Sequence, residues 1–326
     1  MNKQKLILAT TMAFLTATAA IAAEKNVINE SFKVKTGDKL YVNVDRGSIR
    51  IKTSEGEKVE VNVVRELRKA SDKEAKEVYA MHKINISQSG DTVKVEANNP
   101  QKIGNFRNPF NNLLVEYTIA VPAKYNVDLH TAGGNIDISD LEGEVKTHTS
   151  GGDLKIGAIV GSVKANTSGG NVTLKSSKGP ADLRTSGGDL RVGQVDGNLI
   201  TRTSGGNINV EKIKGSIDAE TSGGDIRVKE ANGPISAQTA GGNVSAQLNE
   251  QPNANCALKT SGGNVSVILV GNLAFDITAH TSGGSIRSDF PGSYNKERTK
   301  LTAQINGGGR GLALETSGGD VEIRKK

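Results

Sequence analysis

Residues 149–202 read TSGGDLKIGAIVGSVKAN, TSGGNVTLKSSKGPADLR and TSGGDLRVGQVDGNLITR, which are three variants of one 18-residue unit. The opening signature is Thr-(Ser/Ala)-Gly-Gly-(Asp/Asn/Ser)-aliphatic. It begins at Thr131, Thr149, Thr167, Thr185, Thr203, Thr221, Thr239, Thr260, Thr281 and Thr316. The first six intervals are 18 residues each, the next two are 21, and the last is 35. Self-similarity at a fixed period indicates a repeat architecture.

Each unit contains two short stretches in which apolar residues alternate with other residues. With the Thr as position 1, one aliphatic pair falls at positions 6 and 8, as in Leu154 and Ile156. A second pair falls at positions 15 and 17, as in Val163 and Ala165. A period of two is the pattern of a strand with one buried face. The Gly pair at positions 3 and 4 and the Gly at position 13 are expected to turn the chain, because glycine tolerates positive φ.

Two strands and two turns per unit could stack as an array of hairpins or as a coil. Identical residues every 18 positions favour the coil, in which each residue lies over its counterpart and successive strands pair in parallel. A left-handed hexapeptide helix also has 18 residues per coil, but it needs an aliphatic residue every six, and positions 12 and 18 are mostly polar. We therefore predict an all-β fold: a parallel two-sheet β-solenoid of 18-residue coils, right-handed by the usual crossover rule.

Position 5 alternates between an amide and an acid over seven units. Its residues, which we call the Asx ladder, are Asn135, Asp153, Asn171, Asp189, Asn207, Asp225 and Asn243. In a stacked coil neighbouring members would lie about 4.8 Å apart, and carboxylates about 9.6 Å apart, near a Debye length. Each amide could also donate to a neighbouring carboxylate. We predict a structural ladder rather than a calcium site, because carboxylates two coils apart cannot share one ion.

The chain divides into three parts by sequence. Residues 1–23 contain two lysines, an apolar run and a small-residue end, which is the pattern of a secretory signal peptide. Residues 24–130 lack the repeat but alternate well, and Ser71 to Glu74 predicts a capping box at the start of one helix, so we expect a β-rich cap with a short helix. Residues 131–326 are predicted to form the solenoid, with a hairpin-like insertion near residues 287–311. We expect a periplasmic or secreted protein with no stable membrane anchor after cleavage.

Composition narrows the classes of function. Aromatic residues are 3% of the chain and Trp is absent, so stacking platforms for sugars or single-stranded nucleic acid are scarce. When the two lysines of residues 1–23 are left out, the chain has 39 Lys and Arg and 35 Asp and Glu, which gives a net charge of +4. No run of five like charges occurs, so nucleic acid is not an expected partner. The single Cys256 excludes an intrachain disulfide and is expected to point inward.

The loop of residues 98–112 (NNPQKIGNFRNPFNN) is the candidate binding site. It carries Phe106, Arg107 and Phe110 on otherwise polar sequence. Aromatic and arginine side chains on a loop are typical of contact residues. In the alternative interpretation, both Phe rings only pin the loop to the cap.

Two histidines are the best candidate for metal binding. His130 and His148 are 18 residues apart, so their rings could lie about 5 Å from each other on adjacent coils. Because no third ligand is evident, we interpret them as an outward surface column. We expect no metal site, no cofactor and no catalytic residue.

The repeat and its flanks resemble a known family. Besides the Thr-Ser-Gly-Gly-Asp-Ile-type repeat, the resemblance rests on residues 115–122 (VEYTIAVP), 288–291 (SDFP), 306–309 (NGGG) and 316–321 (TSGGDV). These motifs are similar to those of the bacterial putative-adhesin family, an exported β-strand-repeat domain of unknown function. The resemblance covers essentially the whole mature chain. It implies a β-solenoid and an envelope location, and it supplies no catalytic residues.

Three hypotheses for function follow. The first is a non-enzymatic, adhesin-like envelope scaffold that presents an elongated polar surface to an unknown envelope protein or glycan. The second is a polysaccharide-acting enzyme on a β-helix, and the third is a module that binds cell-wall glycan without turnover. Scarcity of aromatic side chains and the absence of clustered acids and bases along the repeats favour the scaffold. The oligomeric state does not follow from the sequence.

Overall fold

A computed structural model describes residues 25–98 and 110–326. Its helix is α1 (Asp72–Met81). The strands before the first complete repeat are β1 (Asn26–Lys33), β2 (Lys39–Val44), β3 (Ser48–Ser54), β4 (Lys58–Leu67), β5 (Lys83–Ser89), β6 (Thr92–Asn98), β7 (Leu113–Pro122) and β8 (Asn126–Thr131). The strands of the 18-residue repeats are β9 (Ile136–Ile138), β10 (Leu141–Glu142), β11 (Val145–Thr149), β12 (Leu154–Val160), β13 (Val163–Thr167), β14 (Val172–Ser177), β15 (Ala181–Arg184), β16 (Leu190–Val195), β17 (Leu199–Arg202), β18 (Ile208–Ile213), β19 (Ile217–Glu220), β20 (Ile226–Ala231), β21 (Ile235–Gln238) and β22 (Val244–Leu248). The remaining strands are β23 (Cys256–Lys259), β24 (Val265–Leu269), β25 (Phe275–Thr281), β26 (Ile286–Ser288), β27 (Ser293–Tyr294), β28 (Lys300–Ile305), β29 (Arg310–Thr316) and β30 (Val321–Lys325).

The strands of residues 25–98 and 110–326 form two sheets of fifteen strands each. The first sheet has the order β1-β4-β7-β3-β9-β12-β14-β16-β18-β20-β22-β24-β30-β26, with β10 beside β12. The second has the order β27-β28-β25-β29-β23-β21-β19-β17-β15-β13-β11-β8-β2-β6-β5. Within the 18-residue repeats the strands pair in parallel with an offset of one unit, so that Val145 lies beside Val163 and Val163 beside Ala181. The predicted two-sheet parallel solenoid is therefore confirmed.

The core is a thin aliphatic column between the two sheets. Positions 6, 8, 15 and 17 point inward as predicted, and Val172, Leu174, Ala181 and Leu183 of one coil are all buried. Position 11 is a fifth inward position that the alternation did not predict. Its residues are Leu141, Ile159, Ser177, Val195, Ile213 and Ala231, all buried. Cys256 is also buried, and this burial raises the pKa of its thiol.

The second glycine of each corner pair is needed for close backbone approach, and positive φ explains few of the corner glycines. A Cβ on Gly188 would lie 2.1 Å from the carbonyl oxygen of Gly170 one coil away, whereas one on Gly187 would meet nothing nearer than 3.5 Å. Neither residue has positive φ. At position 13, only Gly143 and Gly161 have positive φ among the repeats. The expectation that the Gly pair supplies positive φ was therefore wrong, since its second member is required by the tight stacking of coils.

The region of residues 25–130 is continuous with the solenoid. Strands β2 and β3 pair in register with β8 and β9, and β6 and β7 add the next level outward. Antiparallel strands β1, β4 and β5 cover this end. Helix α1 begins with the predicted capping box, in which the Ser71 hydroxyl accepts from Glu74 N–H and the Glu74 carboxylate accepts from Ser71 N–H. The sequence boundary at residue 131 is therefore not a break in either sheet.

At the other end, spatial order departs from sequence order. The coil that starts at Thr316 lies between the coils of Thr260 and Thr281, because β29 pairs with β23 and β25, and β30 pairs with β24 and β26. The insertion predicted near residues 287–311 contains the antiparallel pair β27 and β28. Strand β28 also pairs with β25 and so extends the second sheet beyond its last parallel strand.

Candidate functional site

The corner of each coil is built by a buried threonine. Thr203 at position 1 donates its hydroxyl to the carbonyl oxygen of Gly188 in the preceding coil at 2.9 Å, and it accepts from its own Gly206 N–H at 3.3 Å. The same donation to the neighbouring glycine recurs along the stack. Its donors are Thr131, Thr149, Thr167, Thr185, Thr203, Thr221, Thr239, Thr260, Thr281 and Thr316. The hydroxyl therefore satisfies a carbonyl that the turn would otherwise leave buried without a partner.

The structure brings the Asx ladder into one file beside these threonines. Each side-chain oxygen accepts the backbone N–H of the next member, as in Asp153 Oδ1 with Asn171 N–H at 2.7 Å and Asn171 Oδ1 with Asp189 N–H at 2.9 Å. The Asn171 amide also donates to Asp153 at 3.3 Å. Both Asp and Asn can accept through Oδ1, so either residue fits the backbone role, and they differ in charge and in the amide N–H that only Asn can donate. The file continues through Asn264 and Asp320 to Ser285.

The candidate binding loop is described only at its end. Phe106 and Arg107 lie outside the described residues, so their role in binding stays a prediction. Phe110 is 1% exposed and packs under the guanidinium of Arg46, whose carbon lies 5.3 Å from the ring centroid. Arg46 also donates to the Phe110 carbonyl at 2.6 Å. This placement agrees with the alternative in which Phe110 pins the loop, and a ring so buried offers no contact surface.

A buried polar cluster lies next to Phe110. The ring of His82 is fully buried at the end of α1, and its Nε2 lies 3.1 Å from Asp45 Oδ1. Arg65 donates to the His82 carbonyl at 2.6 Å and to the Tyr79 carbonyl at 2.9 Å. Burial raises the pKa of the Asp45 carboxyl, but hydrogen bonds from His82 and Arg46 outweigh it and leave the pKa below its usual value. The cluster joins α1 to strand ends and serves the fold of this region.

His130 and His148 come together on the outer face of the second sheet. Their ring centroids are 6.2 Å apart, and Tyr41 lies 6.0 Å beyond His130. His130 Nε2 is 2.7 Å from Asp128, which also accepts from Lys39 at 2.9 Å. No group of three or more His, Cys, Asp or Glu in residues 25–98 and 110–326 could hold a metal ion.

The outer face of the first sheet carries a groove that runs across the strands. Two concavities of about 660 Å³ and 340 Å³ share Arg227 and Lys229 and together extend from β14 to β24. We call this surface the first-sheet groove. Its charged lining residues are Lys175, Arg191, Glu211, Arg227, Lys229, Glu230 and Lys326. Five cations and two acids therefore line it, a higher ratio than the 41 cations to 35 acids of the whole chain.

The floor of the first-sheet groove has uncharged polar side chains among apolar ones such as Val192 and Ile268. Asn209, Ser245 and Ser266 are partly buried at position 7, between the more exposed cations. Sequence reasoning missed this surface because the outward positions 7 and 9 carry no repeating residue type. Reading position 7 alone down the units, which gives Lys155, Thr173, Arg191, Asn209 and Arg227, is the signal that could have found it.

The family comparison decides the classification of this fold. The family described as Toastrack DUF4097 matches residues 37–256 and 216–324. The chain belongs to the Toastrack DUF4097 family. The match includes the 18-residue repeats of this Toastrack chain, the strands from β2 onward before them and the strands after them as far as residue 324. No curated protein matches it.

Several solved structures resemble this Toastrack chain. A putative adhesin from Bacteroides fragilis is 13% identical, with 92% of this chain and 97% of that chain covered and a TM-score of 0.30. A putative lipid binding protein from Parabacteroides distasonis is 13% identical with the same coverages and a TM-score of 0.32. A putative cell adhesion protein from Clostridium sporogenes is 14% identical, with 92% and 100% covered and a TM-score of 0.20. Within the described residues of the Toastrack chain, no helix has the length and apolarity needed to span a bilayer.

Proposed function

We propose that this Toastrack protein is an exported, non-enzymatic scaffold of the bacterial envelope that binds an elongated partner through a sheet face, as an adhesin does. The proposal includes cleavage of residues 1–23 and a periplasmic or secreted location. The partner is an envelope protein or a glycan.

One observation carries the proposal: the outward side chains are held in straight files along a continuous parallel stack. Backbone pairing sets their spacing at about 4.8 Å per coil. The threonine hydroxyls and the Asx ladder fix the same register through side-chain hydrogen bonds, such as the one that Thr203 donates to the Gly188 carbonyl and the one that Asp189 accepts from Asn207 N–H. A surface with this regularity is suited to a partner that itself extends over many coils.

A second candidate function is binding of cell-wall glycan without turnover, and the first-sheet groove favours it. The groove offers exposed cations above a hydrogen-bonding floor, as at Arg191 and Asn209. The aromatic residues that stack on neutral sugars are missing from the sequence between Tyr125 and Phe275. A polysaccharide-acting enzyme is the remaining alternative, and it differs from both in releasing product.

The test combines location, binding and turnover. The full chain is expressed in a bacterial host, and the periplasm, medium and cytoplasm are separated and probed for the processed protein. Purified processed protein is then sedimented with isolated envelope fragments and, in parallel, incubated with pectin, alginate and peptidoglycan. We expect an exported protein that sediments with envelope material and releases no soluble sugar or peptide. Retention of an uncleaved chain in the cytoplasm, or release of product from any of the polymers, would contradict the proposal.

The candidate loop needs a separate test, since its two aromatic residues are not equivalent. Phe106 lies outside the described residues, whereas Phe110→Ala empties a buried site and destabilises the fold by about 3–5 kcal/mol. We expect Phe106→Ala and Arg107→Gln to weaken sedimentation with envelope material if the loop makes the contact. Unchanged sedimentation of both variants would remove the loop from the binding surface.

A further inference from the structure

The first-sheet groove has the chemistry of a site for an anionic polymer. Its two acids are paired with lysines of the same sheet, because Glu211 accepts from Lys229 at 2.6 Å and Glu230 lies 3.0 Å from Lys212. Lys229 is therefore occupied by its own acid. The side chain of Arg227, where the two concavities join, is exposed and has no ion pair or hydrogen bond among the described residues. Its guanidinium is therefore available to a carboxylate, which it can bind through two parallel hydrogen bonds.

The spacing of the cations matches a linear ligand that lies along the solenoid axis. Arg191 pairs with Asn209 in register, and Asn209 pairs with Arg227. The two arginines therefore occupy one file at two strand spacings, about 9.6 Å. That separation is comparable with the length of an extended disaccharide, so successive repeats of one polymer would meet successive arginines. Asn209 between them offers an amide to sugar hydroxyls.

Resting on the proposed scaffold function, we propose that the first-sheet groove binds a linear, carboxylate-bearing polysaccharide. Exposed Arg227 contacts one carboxylate directly, and Arg191 contacts the next by exchanging its partner Asp189 for it. The partly buried polar floor accepts and donates hydrogen bonds to the sugar hydroxyls. A neutral polysaccharide lacks the charges that select this surface, and the face has no aromatic ring on which its sugars could stack.

The experiment measures the affinity of the purified protein for alginate, with dextran as the neutral polymer and poly-glutamate as an acidic peptide. The test variant is Arg191→Gln/Arg227→Gln. The matched control is Lys164→Gln/Arg184→Gln, which removes two exposed cations from the second sheet instead. Thermal unfolding of both variants checks that the fold is kept, and each titration is run at low and high salt.

We expect alginate to bind more tightly than dextran or poly-glutamate, with affinity falling as salt rises. The groove variant should bind alginate at least about tenfold more weakly, since hydrogen bonds to charged groups are lost, while the control changes by less than about twofold. Equal losses in both variants would overturn the groove assignment, and tighter binding of poly-glutamate would overturn the polysaccharide. If alginate does not bind but envelope fragments still do, this inference fails while the proposed function stands. If neither binds, both fail.

Discussion

At the scale of single residues, close contact between backbones explains the corner sequence. Gly187 and Gly188 are neighbours in the chain and identical in type, but only Gly188 faces a carbonyl oxygen, that of Gly170, at a distance no side chain could occupy. Every coil repeats this arrangement at the second glycine of the pair, as at Gly206 and Gly224. The stacking of coils thus selects glycine at one position and merely permits it at the other.

We therefore predict that Gly188→Ala lowers the free energy of unfolding by about 1–3 kcal/mol or more, because the added Cβ forces two coils apart. Gly187→Ala is the matched control. It should be neutral or stabilising by about 0.4–1 kcal/mol, since it reduces the freedom of the unfolded chain without a clash. Urea unfolding of the two variants and the parent measures both values, and a comparable loss in both would contradict the stacking argument.

The charge alternation of the Asx ladder gives a second prediction at this scale. Asn171→Asp places a carboxylate one strand spacing from both Asp153 and Asp189 and removes the amide that donates to Asp153. Each like-charge pair at this spacing costs about 1 kcal/mol in water-like surroundings. The melting temperature should fall at low salt and recover in about 1 M salt, where the Debye length is about 3 Å.

Asp189→Asn is the control for that experiment. It keeps the oxygen that accepts from Asn207 N–H and removes a charge, although it also removes the ion pair with Arg191. We expect a small change in melting temperature, because a surface ion pair contributes only about 0–1 kcal/mol, and high salt should reduce that change further. A salt-insensitive loss in Asn171→Asp would mean that its charge is not the cause.

The burial of some residues could be predicted from the sequence and that of others could not, for physical reasons. The inward positions 6, 8, 15 and 17 follow from alternation, which reports burial of one strand face. Position 11 lies beyond the alternating pair and varies from Ile159 to Ser177, whose hydroxyl is satisfied by the Gly161 and Gly179 carbonyls, so no apolar period marks it. The sequence pattern did not reveal the cations of the first-sheet groove, because outward residues face solvent and are under no packing constraint.

At the scale of strands, acidic side chains link neighbouring elements across their edges. Asp140, just before β10, accepts the Ala158 N–H of β12 at 2.7 Å and lies 3.2 Å from Lys175 of β14. Gly157 leaves the room that this carboxylate occupies, since a Cβ there would lie 2.5 Å from its Oδ1. The hydrogen bond from Ala158, and then the one from Lys175, hold the pKa of Asp140 below its usual value.

This lowered pKa predicts the pH dependence of Asp140→Asn. A carboxyl with a lower pKa in the folded state than the ordinary value of about 3.9 stabilises the fold above that pH and loses the contribution as pH falls below it. The parent should therefore melt at a higher temperature than the variant at pH 7. The difference should shrink toward zero between about pH 4 and pH 2, where the parent becomes neutral as well. Melting curves across this range test the prediction, and a difference that stays constant would contradict it.

At the scale of the whole molecule, the stability of the solenoid is additive along its axis. Each internal coil contacts its two neighbours through the same five inward positions and the same corner bonds. Stability in such a stack is approximately a sum of coil and interface contributions.

The repeat could be predicted from the sequence, but the order of coils at the C-terminal end could not, since a shared signature shows which coils are alike and not which are adjacent. Thr316 and Thr281 carry the same signature, and their coils lie in reversed spatial order.

Additivity predicts the result of removing one complete coil. Deletion of residues 185–202 brings the Thr203 corner onto the coil of Thr167, in unchanged register, and places Asn207 beside Asn171 without joining two carboxylates. We expect a folded β-protein, shorter by about 4.8 Å and somewhat less stable. Circular dichroism, thermal unfolding and small-angle X-ray scattering measure these properties.

A deletion of half that length is the control. Removing residues 185–193 leaves a segment that is too short to reach from one sheet to the other and return. We expect it to unfold or aggregate. If the half-coil deletion were as stable as the full one, the 18-residue coil would not be the structural unit.

The reversed spatial order of the Thr281 and Thr316 coils also determines when the solenoid can complete its folding. A chain that leaves a ribosome or a secretion channel with its N-terminus first can add each middle coil as soon as it emerges. The coil of Thr281 has no such site, since its neighbours β29 and β30 are made after it. Until residues 310–325 arrive, β25 and β26 are left without the parallel strands that join them to the stack. Premature termination within this stretch would therefore leave β25 and β26 unpaired with the stack and open to proteolysis. Strands β29 and β30 thus join the coil of Thr281 to the rest of the solenoid.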